Sequence, residues 1–261
     1  MNIDPGKAHS TEMRGTHRTA LVTGASRGLG ASIAIELATR GISVALNYFE
    51  QKAKASQVSQ LIREQGGRAE IFQADIRYET ETARMVEKIQ QWSGPIDIAV
   101  FNATGPQPTL SIDEQTWEAH LRQLEYFVKS PLVLTKLLIP GMKARRFGRI
   151  IQIGSEVVEL GNPRFAHYVA AKAAQLGLTR SWARELADTG ITVNLVAPGW
   201  IPTERHLDSS QDDIRLYLET LPMKHMGTPK DVANAVAFLA GEDASFITGQ
   251  KISVNGGNTL A

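Results

Sequence analysis

The chain contains no cysteine, which removes disulfide frameworks, thiolate metal sites and cysteine nucleophiles together. It has six histidines, none at a spacing suited to a shared metal ion, so a catalytic metal is not expected. Surplus charge is lacking too: 28 Lys and Arg against 27 Asp and Glu leave a formal net charge of +1. That balance asks for neither nucleic acid nor an anionic membrane as partner. The one dense basic run, "KARRFGR" (143–149), reads as a solvated connection between a helix and a strand. No apolar run approaches the roughly 18 residues needed to cross a bilayer. The opening "MNIDPGKAHSTEMRGTHR" has no apolar centre of the signal-peptide kind. The expectation is a cytoplasmic protein with a loose tail over residues 1–17. Repeats, low-complexity linkers and composition breaks are absent, so residues 18–261 are expected to form one domain. With 261 residues and 43% apolar content, such a domain can bury a large core.

What is present is a regular alternation. Short β-branched runs, "TALVT" (19–23), "SVALN" (43–47), "AEIFQ" (69–73), "IDIAVF" (96–101), "GRIIQI" (148–153), "ITVNLV" (191–196) and "KISV" (251–254), are separated by amphipathic stretches. Near-continuous apolar strands between helices imply a parallel sheet covered on both faces. The predicted fold is therefore α/β: a single doubly wound, Rossmann-type domain with about seven parallel strands and helices on both faces.

Directly after the first strand stands "TGASRGLG", with Gly24, Gly28 and Gly30 spaced as G-x-x-x-G-x-G. A strand turning straight into a helix aims backbone N–H groups at an anion, helped by the helix dipole. Glycines let a pyrophosphate approach that backbone closely. The following Leu29-Gly30-Ala31-Ser32 lacks the Lys-Ser/Thr of a P-loop. A plain tight turn remains the simpler reading, and the position after strand one of a βαβ unit favours a dinucleotide site. An NAD site usually carries an acid about 20 residues on, for the ribose hydroxyls. Here that place falls near Tyr48 in "LNYFE", which is no carboxylate, while Glu50 lies two residues farther. Arg27, inside the turn, can pair with a 2′-phosphate through its planar fork. NADP(H) is thus expected ahead of NAD(H). Asp75, ending "QAD", suits either an adenine amino group or a helix N-cap, and Ile76 follows it.

In "HYVAAK" a phenol and an ammonium lie one helical turn apart, so Tyr168 and Lys172 share a face. A cation beside a phenol favours the phenolate, which suits Tyr168 to proton transfer near neutral pH. The spacing alone proves nothing, because Tyr48 and Lys52 repeat it. Context separates the two pairs. Ser155 ends the strand "GRIIQI", and ligands of an open α/β sheet bind outside the carboxyl ends of its strands. Ser155 is therefore expected at the crevice bordered by the glycine turn, with the helix beginning near Phe165 returning Tyr168 and Lys172 over it.

Taken in order, "TGASRGLG", Ser155 with Tyr168-x-x-x-Lys172, "VNLVAPGWIPT" and "GTPKDVANAVAFLA…FITGQKISVNGG" resemble the one-domain short-chain dehydrogenase/reductases. The resemblance runs from about Thr19 to the C-terminus and is nearest to the 3-oxoacyl-[acyl-carrier-protein] reductase-like members, which also carry an Arg in the glycine turn. It implies an NADPH-dependent reduction of a carbonyl, from a 3-oxoacyl thioester or a related small ketone. Tyr168 would be the proton donor, Ser155 the hydrogen-bond donor to the reacting oxygen, and Lys172 the cation serving both Tyr168 and the nicotinamide ribose. Implied cofactor contacts are Gly24, Ser26, Arg27, Gly28, Leu29, Gly30, Tyr48, Asp75, Ile76, Asn102, Ala103, Tyr168, Lys172, Pro198, Gly199, Ile201 and Thr203. Ser155 and Trp200 are implied substrate contacts. The family also implies a homodimer or homotetramer built on helices near 112–143 and 165–188.

Two departures stand out. Where relatives read Asn-Asn-Ala-Gly, this chain reads "FNATG" (101–105), so Thr104 occupies the usual glycine and Gly105 comes one residue late. A local shift of that loop is expected. Many relatives also place an Asn on the long helix after the fourth strand, where it anchors a water leading to the catalytic Lys. Phe127 falls there and has no polar group. Tyr126 and Gln123 are nearby candidates for that task, with core or surface packing the favoured reading of both. The segment 200–227, with Trp200, His206, Leu207, Ile214, Leu216, Tyr217 and Leu218, reads as a lid or as a permanently packed helix. Glu156, Glu159 and Arg164 read as surface groups, and His167 as packed or solvated rather than a second proton donor. Two rival functions share the fold: a cofactor-binding protein with little turnover, and an NAD-dependent alcohol oxidation.

Overall fold

The structure, a computed structural model, describes residues 17–204 and 210–260. Its strands are β1 Thr19–Val22, β2 Ser43–Tyr48, β3 Ala69–Gln73, β4 Ile98–Phe101, β5 Gly148–Ile153, β6 Ile191–Pro198 and β7 Lys251–Val254. They form one seven-stranded sheet, ordered β3-β2-β1-β4-β5-β6-β7, and every neighbouring pair is parallel. β6 runs two residues past the expected end because Pro198 still pairs with Val254. A proline is tolerated at that terminal position.

Side-chain alternation divides each strand between two cores. Along β1, Ala20 and Val22 enter one cluster and Leu21 the other; along β4, Ile98 and Val100 oppose Ala99 and Phe101. The first cluster is closed by α1 Gly28–Thr39, α2 Lys52–Glu64 and α9 Pro229–Ala240, through Ile33, Leu37, Ile62, Val232 and Val236. The second is closed by α3 Glu79–Ser93, α5 Ser130–Arg145 and α7 Ala166–Leu186, through Met85, Ile89, Leu134, Leu138 and Leu186. A sheet apolar on both faces needs helices on both, which is the predicted single Rossmann-type domain.

The helix expected over 112–143 is not continuous. A 3₁₀ turn at Ile112–Glu114 precedes α4 Trp117–Leu124, and a π-helical stretch, Glu125–Lys129, leads into α5. Ser130 Oγ donates to the Glu125 carbonyl at 2.7 Å within that widened turn. Phe127 sits at its centre. Two shorter helices, α6 Val157–Leu160 and α8 Gln211–Thr220, lie beside the carboxyl end of the sheet. Among the described residues no helix is long and apolar enough to cross a membrane. His206 and Leu207 lie outside the described residues.

Candidate active site

The strand order reverses between β1 and β4, and the crevice at such a switch point is where doubly wound sheets bind ligands. Gly24 (φ +63°) and Gly28 (φ +55°) take left-handed backbone that side chains resist. Gly30 answers a different need: a Cβ there would lie 2.3 Å from the Gly24 carbonyl oxygen and 2.6 Å from Asn102 Nδ2. Asn102 Nδ2 donates to the carbonyls of Thr23 (2.9 Å) and Gly24 (3.2 Å), while the Asn102 and Ala103 amides both donate to Thr23 Oγ1. The glycine turn and the loop after β4 are thereby fixed to each other. The N-terminus of α1 then faces the crevice, the donor set that a dinucleotide pyrophosphate requires.

Thr104 is exposed and keeps an ordinary negative φ. The position that must be small is now Gly105, where a Cβ would meet the Tyr126 ring at 2.4 Å. Tyr126 is therefore committed to packing here, and Gln123 Nε2 donates to the Pro106 carbonyl at 2.8 Å.

A cleft of about 1310 Å³ follows the carboxyl ends of the strands. The glycine turn supplies Gly24, Ser26, Arg27, Gly28, Leu29 and Gly30; the adjoining flank supplies Tyr48, Asp75 and Ile76. Asn102, Ala103, Ser155, Tyr168 and Lys172 form its floor, and Pro198, Gly199, Trp200, Ile201 and Thr203 its opposite wall. Thr203 comes close to the glycine turn, 3.5 Å from where a Gly28 Cβ would stand. The residues named from the sequence as catalytic, cofactor or substrate contacts all border this one cleft, whereas Gln123, Phe127, Ile214, Leu216 and Leu218 do not line it. The competing pair is dispersed, since Tyr48 ends β2 and Lys52 opens α2. Arg27 and Glu50 are both exposed at the same end. Asp75 is no helix cap, because α3 starts only after Tyr78. Its carboxylate instead accepts Arg77 Nε at 3.0 and 3.1 Å. Burial pushes the Asp75 carboxyl up, and the Arg77 hydrogen bonds outweigh that effect and hold it below the usual range.

Ser155 stands just beyond β5, where Gly154 is required because a Cβ would lie 2.3 Å from Leu195. Tyr168 is clamped on two sides: Phe127 meets its ring edge-on at 5.6 Å between centroids and Phe165 does so at 6.3 Å. Lys172 is buried, 4% exposed. Its ammonium donates to the Ile153 carbonyl at 2.6 Å and to Gln175 Oε1 at 3.2 Å. It lies 5.7 Å from the Tyr168 ring centre and 3.8 Å from that of Phe127. Phe127 thus does occupy the place beside the lysine, and the polar group there is Gln175, which the sequence reading did not single out.

Glu156 was expected at the surface and is buried, 4% exposed. Its carboxylate accepts Tyr217 Oη at 2.7 Å and the side-chain amides of Asn255 and Asn258, each at 3.1 Å. Tyr217 Oη in turn accepts the Trp200 amide at 2.8 Å. Burial, reinforced by Glu156, pushes the Tyr217 phenol up, so it stays a proton donor to the carboxylate. This network seats α8 on the body, with Ile214, Tyr217 and Leu218 turned inward and Leu216 outward. The signal that could have found Glu156 is a carboxylate placed directly after a strand-end serine. His167 is fully buried, against His120 and Phe165, and neither ring nitrogen has a hydrogen-bond partner. Among the described residues no group of three His, Asp or Glu could hold a metal ion.

Residues 24–259 match the family described as Enoyl-(Acyl carrier protein) reductase. The chain is 41% identical over 243 residues to 3-oxoacyl-[acyl-carrier-protein] reductase FabG of Staphylococcus epidermidis, covering 92% of this chain and 98% of that protein. To the protein of the same name from Escherichia coli (strain K12) it is 38% identical over 242 residues, covering 92% and 96%. Among solved structures, a dehydrogenase/reductase from Sinorhizobium meliloti 1021 aligns with TM-score 0.85 and 35% identity over 93% of this chain and 95% of that one. A blue fluorescent protein from a metagenomic library, in complex with NADPH, aligns with TM-score 0.85 and 35% identity over 93% and 98%. The shared fold, the near-complete coverage and this level of identity together settle the ancestry: the chain belongs to the short-chain dehydrogenase/reductase family and is an oxidoreductase of that family.

Proposed function

We propose that the protein reduces a carbonyl, in a 3-oxoacyl thioester or a related ketone, to an alcohol with NADPH as reductant. The observation that carries this reading is the Tyr168–Lys172 pair, one turn apart beside Ser155, in the cleft that the glycine turn borders. The bound nicotinamide supplies the hydride for the carbonyl carbon. Tyr168 Oη gives its proton to the carbonyl oxygen, and Ser155 Oγ donates a hydrogen bond to the charge developing there. Lys172 stabilises the phenolate left behind. The Gly28–Gly30 backbone at the start of α1 and the Thr203 wall would hold the pyrophosphate. Arg27 would hold the 2′-phosphate; this preference for NADPH is supported by the absence of an acid at Tyr48 and by the NADPH-bound neighbour. Asp75 and Ile76 would line the adenine end.

The test is NADPH oxidation by purified protein over a panel of 3-oxoacyl thioesters and small ketones, with NADH in parallel and a 2-enoyl thioester as a separate arm. Turnover of ketones with NADPH is expected. Turnover confined to the enoyl substrate would replace the carbonyl by a carbon–carbon double bond, and tight NADPH binding without turnover would make the chain a cofactor-binding protein. Self-association as a dimer or tetramer is part of the proposal, supported by Trp117, Leu121, Leu132 and Leu137, large apolar side chains exposed on α4 and α5. Light scattering on a sizing column checks it, and a monomer would remove it.

A further inference from the structure

Lys172 raises a problem that the rest of the cleft does not. An ammonium 4% exposed is costly to bury unless its protons find acceptors. The acceptors around it include the Ile153 carbonyl at 2.6 Å and Gln175 Oε1 at 3.2 Å, and the Phe127 ring face lies 3.8 Å away. The ring attracts the cation electrostatically but gives no direction to its protons. Phe127 is 2% exposed and Gln175 1% exposed, so neither serves as a surface group. A buried side-chain amide is destabilising unless its polar atoms find partners, and the Gln175 oxygen finds the Lys172 ammonium.

Gln175 is also braced. Its backbone carbonyl accepts Thr179 Oγ1 at 3.0 Å and Gln152 Nε2 at 3.4 Å, and Gln152 Nε2 donates to Thr179 Oγ1 at 2.9 Å. Gln152 and Thr179 are both fully buried. This polar row ties α7 to β5 directly beneath the lysine. We infer that Gln175 is the positioning residue for Lys172 in this chain, doing from α7 what a polar side chain at position 127 cannot do, with Phe127 closing the neighbouring space against water. The inference rests on the proposed roles of Tyr168 and Lys172. Gln175 acts only through the lysine: it keeps the ammonium at the distance from the phenol that favours the phenolate.

The experiment compares Gln175→Leu, Phe127→Asn, the double variant and Tyr168→Phe. In Gln175→Leu, kcat is expected to fall about tenfold with KM for the ketone changed less than about twofold. The pH limb assigned to Tyr168 should move to higher pH by about half a unit, because a loosened ammonium favours the phenolate less. The same upward movement should appear without cofactor, as tyrosinate ultraviolet absorbance in a pH titration from which Tyr168→Phe is subtracted. The other titratable groups bordering the cleft, Glu156, Glu204 and Tyr217 together with Arg27, Tyr48, Glu50, Asp75, Arg77, Arg122 and Tyr126, are common to all variants. Phe127→Asn alone should change kcat less than about threefold and leave NADPH affinity unaltered, while in the Gln175→Leu background it should restore most of the loss, a non-additive result. A folded Gln175→Leu protein with unshifted kcat and unshifted Tyr168 titration overturns the inference, as does a double variant no better than Gln175→Leu. Thermal melting identifies a misfolded Gln175→Leu; the milder Gln175→Met then repeats the comparison. Full activity in Tyr168→Phe would instead defeat the catalytic reading on which this one stands.

Discussion

The two ends of the parallel sheet treat buried charge differently. At the amino end, Asp97 accepts the Thr19 amide at 3.0 Å and Arg145 Nε at 3.1 Å, and Arg145 also donates to the Ile96 carbonyl. Arg149, 3% exposed, donates to the carbonyls of Gly148 and Gly241 and faces the Phe147 ring. Burial, with the nearby Arg18, pushes its guanidinium down to about 10, which still leaves it charged at neutral pH. Here the charges close on the fold itself. At the carboxyl end, Ser155, Tyr168 and Lys172 border an open cleft, and Lys172 is held from behind while Tyr168 and Ser155 remain half-buried. The same sheet thus separates polar groups closed on the fold from polar groups that face an open cleft.

That contrast can be broken by substitutions that cross it. The largest effect is expected for Tyr168→Phe, a loss of about 10²- to 10⁴-fold in kcat with the melting temperature nearly unchanged. Arg27→Ala should raise the NADPH dissociation constant about tenfold in a fluorescence titration while leaving NADH binding unaltered. A fall in both affinities would reassign Arg27 to general phosphate binding. At the other end the pattern should invert. Asp97→Ala should destabilise by about 1–3 kcal/mol in a denaturant titration, because it leaves the Thr19 amide and Arg145 without their acceptor. Its kcat in the surviving folded protein should match the parent. A large rate loss there would mean that the two ends are coupled.

The smallest effect concerns His167, the buried residue that precedes Tyr168 on α7. Burial, with His120 adding to it, lowers the His167 imidazole below its ordinary value. The folded protein therefore binds this proton less readily than the unfolded chain, and stability should decline as pH falls below about 6.5 toward the depressed folded value. Above that window the contribution is constant. Melting curves of the parent and His167→Leu over this range should converge at the acid side, and parallel curves would remove His167 from the account.

The glycine turn and the Ser155, Tyr168 and Lys172 set were readable because each depends on local spacing: a strand passing into a helix, or one turn of one helix. The strands were readable for a related reason, since a sheet covered on both sides favours short runs rich in apolar, β-branched residues. Glu156 was not, because its partners Tyr217, Asn255 and Asn258 come from α8 and the segment after β7, distant in the chain. The break of the long helix into α4, a π-helical stretch and α5 was also hidden, as helical periodicity does not reveal one extra residue in a turn.

The amino-acid order by itself determined the doubly wound sheet, the glycine turn and the phenol–ammonium pair, because each arises from near neighbours obeying fixed geometry. Tertiary packing alone decided which side-chain amide meets Lys172, which carboxylate seats α8, and that Phe127 stands against Tyr168. Those choices depend on which side chains meet across separate elements in a crowded interior, and no periodicity along the chain records such meetings.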